Sequence, residues 1–159
     1  MRESYRGQCN LHLYFAEQYL KEARERDDST WGGHYHRACQ DSILWQLLLA
    51  YRAHMADMLD QQPRFAQPIP QGHFTARSFP AADLPPEINE LADREGEEGW
   101  LKSLVTHDFI VHPQAVAAPS DGLIASQGGV DFSDFSDCET ILTELSSLID
   151  RHRATLMEF

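Results

Sequence analysis

Eight histidines stand among 25 acidic side chains in this 159-residue chain, so metal binding and hydrolysis are the first chemistries to weigh. His34 and His36 are two apart, and His54 and Asp57 sit three apart on what reads as one long helix, which puts an imidazole and a carboxylate on a common face. Metal sites in helical bundles usually combine single glutamates with Glu-x-x-His pairs from facing helices. That pattern is absent here, and a metal-binding or hydrolytic bundle using His34, His36, His54 and Asp57 is the second reading of the chain. Arg6 and His12 have the Arg-x5-His spacing in which an arginine holds a phosphate while a histidine moves a proton. With eleven arginines and eight histidines, an arginine-to-histidine spacing of five to seven arises roughly once or twice by chance.

Asp131, Asp134 and Asp137 lie three apart beside Gly128 and Gly129, a faint suggestion of a calcium loop. Calcium wants about six to eight oxygens from closely alternating positions and usually a closing glutamate, so these aspartates read instead as a turn and cap feeding a helix. The run from Asp83 to Glu98 holds seven acids and one arginine and reads as a solvated helix face, with docking of a basic partner as the lesser alternative. No Gly-x-Ser-x-Gly elbow, P-loop or dinucleotide fingerprint is present. The sequence therefore assigns no catalytic, cofactor-binding or metal-ligating residue and implies no cofactor, and the balance leans away from an enzyme.

These residues must be positioned by helices. Cys9, Leu13, Ala16, Leu20 and Ala23 recur at spacings of four and three, which predicts a first helix from about Ser4 to Asp27. A second helix starts between Trp31 and His34 and runs to about Asp60; its apolar residues wrap most of the circumference, marking it as the core element. Six prolines between Pro63 and Pro86 forbid a long helix or a central strand, yet Phe65, Ile69, Phe74 and Phe79 predict an ordered strap over 61–85 laid on the bundle. Short helices follow at Pro86 to Arg94 and at Glu97 to Phe109, then an irregular loop over 113–135. Ser136 and Glu139 form a capping box for a last helix ending near Leu156. The expected architecture is all-α: one domain over 1–159, a single helical bundle of three long and two short helices.

Composition narrows the partners. The net charge is −12 and there are only two lysines, which argues against nucleic acid and against anionic membrane surfaces, since both are bound by neutralising phosphates. Cys9, Cys39 and Cys138 form no disulfide framework. The opening MRESYRGQCN lacks the apolar stretch of a secretory signal, and a cytoplasmic location is expected.

The order of these parts carries a resemblance. Leu13-Tyr14-Phe15-Ala16 is followed by an unusually apolar helix around Leu44-Trp45-Gln46-Leu47-Leu48, a proline-rich strap, Glu98-Gly99-Trp100-Leu101 and a capped final helix. Together they resemble a family of small bacterial helical proteins classified as a domain of unknown function. The resemblance implies the helical fold and supplies no activity or site residue. The first reading is thus a non-enzymatic helical interaction or accessory protein of otherwise unknown function, with a homodimer or a protein partner expected. Self-association is expected through the over-apolar second helix or the last one.

Overall fold

The computed structural model describes residues 4–26, 33–62, 68–80, 84–110, 112–113 and 135–156. Among them are five α-helices and one short 3-10 turn, with no strand: α1 (Tyr5–Glu25), α2 (Gly33–Asp60), the 3-10 turn (Ala76–Ser78), α3 (Pro86–Gly96), α4 (Trp100–Val105) and α5 (Ser136–Leu156). The class is all-α, as the periodicity implies. No described helix is long and apolar enough to cross a membrane.

α1 begins where the Ser4 hydroxyl accepts the Gly7 N–H at 2.9 Å, satisfying one of the free donors of a helix start. It buries Cys9, Ala16, Leu20 and Ala23, close to the predicted stripe, while Leu13 is only partly covered. α2 runs antiparallel beside it: Arg6 meets Asp57 and His12 meets Gln46. α2 also touches α3, α4 and α5, which explains how one helix can be apolar on so many sides. Ile43, Leu47, Tyr51, Met55, Met58 and Leu59 are all nearly or fully buried within the chain.

The described part of the strap closes another side of α2. Phe74 is buried, stands edge-on to Phe79 at 5.8 Å and carries the Arg52 guanidinium 5.5 Å above its ring. The surplus of apolar surface on α2, the basis for expecting self-association through it, is therefore largely consumed inside the fold. Residues 63–67, 81–83 and most of the 113–135 loop lie outside the described residues.

Two helix limits differ from the sequence reading. α4 spans Trp100–Val105 and not Glu97 to Phe109. Gly99 delays its start, and Thr106 caps its end, its N–H and its hydroxyl both donating to the Lys102 carbonyl, at 3.0 and 2.6 Å. α5 starts with Ser136 inside the helix, so Phe135 takes the cap position at φ 57°. A phenylalanine tolerates this left-handed backbone because its ring is 1% exposed and packs against the His36 ring at 5.9 Å.

Candidate functional site

The histidines and acids of the long helices go to different neighbours. His36 and His54 are eighteen residues apart on α2, about 27 Å along the axis, and His34 is exposed at the near end. His54 turns toward α5 and Asp57 toward α1, where Arg6 Nε donates to its carboxylate at 3.1 Å. Arg6 and His12 are one and two-thirds turns apart, so they point about 120° from each other; His12 bonds to Gln46 at 2.7 Å instead. Among the described residues no group of three His, Cys, Asp or Glu side chains is arranged to hold a metal ion. Asp131 and Asp134 lie outside the described residues, and Asp137 sits in the first turn of α5.

What the structure does bring together is a line of hydrogen bonds across three helices. His54 Nε2 and His152 Nδ1 are 2.9 Å apart, and His152 Nε2 lies 2.9 Å from the Glu90 carboxylate. Arg151 also bonds to Glu90 through both terminal nitrogens, and Arg94 donates from Nε at 2.9 Å. The Arg151 hydrogen bond above all, helped by His152 and Arg94, holds the Glu90 carboxyl well below the usual range. An ionised Glu90 places a proton on His152 Nε2, and one further proton is shared between His152 Nδ1 and His54 Nε2. His54 Nδ1 is buried and has no hydrogen-bond partner among the described residues. Burial first, then the neighbouring His152, Arg153 and Arg6, pushes His54 down to about 3. With His54 and His152 0% and 1% exposed, neither ring meets solvent, and the line serves to join α2, α5 and α3.

The acidic run from Asp83 to Glu98 is likewise more internal than a solvated face. Glu95 is buried, and its carboxylate accepts the Tyr51 hydroxyl at 2.5 Å and the Ala76 and Arg77 N–H groups at 2.8 and 3.1 Å. It thereby pins the 3-10 turn of the strap to α2 and α3.

The feature with the character of a docking surface lies on the outside of α1. Leu11, Tyr14, Phe15 and Tyr19 are 40%, 56%, 37% and 45% exposed. Their spacing of three, one and four residues gathers them on the solvent side of the helix, with His12 and Tyr14 ringed around Phe15 at 6.0 and 6.3 Å. Between Gln8 and Tyr19 only Glu17 carries a charge; it lies about 160° around the helix from Phe15 and borders the stripe about 60° from Tyr14. The sequence reading used Tyr14 and Phe15 only as part of the resemblance carried by Leu13-Tyr14-Phe15-Ala16. The signal was present as a second set of apolar residues offset from Cys9, Ala16 and Leu20.

A family model described as a family of unknown function (DUF6586) matches residues 1–159. No curated protein and no solved structure matches the chain.

Proposed function

The chain belongs to the DUF6586 family, whose function is unknown, and from that premise we propose that it is a non-enzymatic helical interaction module that pairs with a second copy of itself through the outer face of α1. The observation that carries the reading is the stripe Leu11, Tyr14, Phe15 and Tyr19. Exposed apolar residues scattered singly need no explanation, but a gathered set without charges is the mark of a contact surface. The choice of a second copy as occupant rests on charge. Two chains of net charge −12 repel wherever their acids face each other. A stripe lacking Asp, Glu, Lys and Arg is where they approach at least cost. A two-fold pairing presents the same patch on both sides, and α1, about 31 Å long, is long enough for the two aromatic sets to interdigitate.

Sedimentation equilibrium at micromolar concentration tests this. The expected mass is twice the 18.1 kDa of one chain. Phe15→Glu is expected to give a monomer whose helical content is unchanged, because the side chain contributes little to the core. A wild-type protein that stays at the single-chain mass up to about 100 μM, where a contact of even 8 kcal/mol would be half formed or better, sinks the reading.

A further inference from the structure

Where the strap meets α1 and α2 the fold leaves a cleft of about 300 Å³. That volume is at the lower end of the range for small-molecule sites, whose walls are mostly apolar with a few placed polar groups. Leu49, Arg52 and Ala56, three and four residues apart, reach it from one face of α2, and Ile69 and Phe74 reach it from the strap. No Asp, Glu or Lys lines it, and Arg52 is its one arginine. That side chain is partly buried and short of partners. Its Nε is shut from solvent and makes no hydrogen bond. One terminal nitrogen donates to the Gly72 carbonyl, and the guanidinium stands 5.5 Å from the centre of the Phe74 ring. Both partners are neutral. No carboxylate among the described residues pairs with it, in a chain where acids outnumber bases 25 to 13. Burial alone weakens its hold on its proton, with no acid near enough to oppose that effect. A charge drawn out of water by folding is ordinarily paired. A guanidinium without a counter-ion at the wall of a cleft is a place for an anion.

We propose that this cleft binds a small organic acid, its single carboxylate paired with Arg52 and its apolar or aromatic body laid against Leu49, Ile69 and Phe74. The surroundings select this class. One unpaired positive charge matches one negative charge, and a polyphosphate or a nucleic-acid strand finds no second cation in the lining to neutralise it. With no Asp or Glu in the lining, nothing receives an ammonium group, which disfavours free amino acids. The net charge of −12 opposes the approach of an anion only weakly here, because at 0.15 M salt charges beyond about 8 Å are largely screened. Tyr5 and Gln8, three apart on α1, line the same cleft and bring neutral hydrogen-bonding groups to it. None of the four stripe residues on the outside of α1 lines the cleft, so this site and the pairing of two copies stand or fall separately.

Benzoate and benzamide are the probes, because they share a shape and differ in charge. Calorimetric titration gives their affinities, and the Ile69 methyl resonances, assigned from an Ile69→Val sample, report where the ring sits. Benzoate is expected to bind wild type about tenfold more tightly than benzamide or better, the margin between a charge-assisted and a neutral hydrogen bond. It is also expected to move the Ile69 resonances saturably. Arg52→Gln, which keeps a donor for the Gly72 carbonyl, is expected to bring benzoate down to the affinity of benzamide. Benzoate binding undiminished in an Arg52→Gln protein of wild-type helicity overturns the proposal. So does benzamide matching benzoate on the wild type, and so do Ile69 resonances that benzoate leaves unmoved. Those last two results do not depend on how the variant folds.

Discussion

His54 is a base buried where it cannot easily take a proton, and the fold's stability should report it. In the unfolded chain its imidazole titrates near its ordinary 6.5, whereas in the folded chain it resists protonation until about 3. As pH falls below 6.5 the unfolded state gains a proton that the folded state refuses, so stability present above 6.5 is lost at up to about 1.4 kcal/mol per pH unit. Arg6 from α1 and His152 and Arg153 from α5 face it and all oppose its charging, while Asp57 one turn along α2 is engaged by Arg6. Glu90 works in a lower window: its depressed value means that its contribution starts to decline only below about its ordinary 4.5. Between pH 6.5 and 4.5, His54→Gln is therefore expected to flatten the dependence of Tm on pH relative to wild type. Parallel curves for the two proteins would show that His54 is not the group responsible. His54 stood out in the sequence as a titratable residue on the core helix. Its partner His152 is 98 residues away, and nothing local to either residue signals the pairing.

Among the elements, the strap depends most on a single side chain. Glu95 accepts three hydrogen bonds, two of them from backbone N–H groups of the 3-10 turn. Glu95→Ala leaves the Tyr51 hydroxyl and the Ala76 N–H buried without a partner, each costing about 1–3 kcal/mol. A loss of about 2–5 kcal/mol by denaturant unfolding is expected, with faster hydrogen exchange at the Ala76 and Arg77 amides; protection unchanged at those two amides would mean that the turn is held by Phe74 instead. The helices themselves were legible, because a 3.6-residue period leaves its mark wherever one face is buried, and α1, α2, α3 and α5 sit within two or three residues of their expected limits. α4 was overextended because Trp100, Leu101, Leu104 and Val105 continue acceptably into Phe109, and nothing in the local pattern marks an end at Val105. Glu95 was read as solvated because acidity predicts exposure unless a partner is known, and its partners come from segments 18 to 44 residues away.

At the scale of the whole molecule the charge is the dominant fact. The proposed pairing through α1 would bring two bodies of the same sign together along a stripe that itself carries no charged side chain. Added salt shortens the screening length from about 30 Å at 0.01 M to about 8 Å at 0.15 M. The dimer is therefore expected to tighten as salt rises across that range, the reverse of an interface built on opposite charges. Dissociation promoted by salt, measured in the same sedimentation experiment, would point to charged contacts elsewhere. The net charge and the family were both readable from the residues. The face was not, because choosing between two offset apolar sets on α1 requires knowing which one α2 covers.

The division of contacts also sets an order of assembly. α1 and α2 are consecutive and pack along their length, but α5 reaches them through contacts separated by 98 residues at His54–His152 and 115 at Arg24–Glu139. On a ribosome adding about 5–20 residues per second, the stretch from Asp60 to Leu156 takes roughly 5–20 s to emerge. During that interval the first helical hairpin exists without its cover, and Leu44, Leu48 and Met55 of α2 face water. The far face of that hairpin thus stays wet longest of any part of the core, until the last helix arrives.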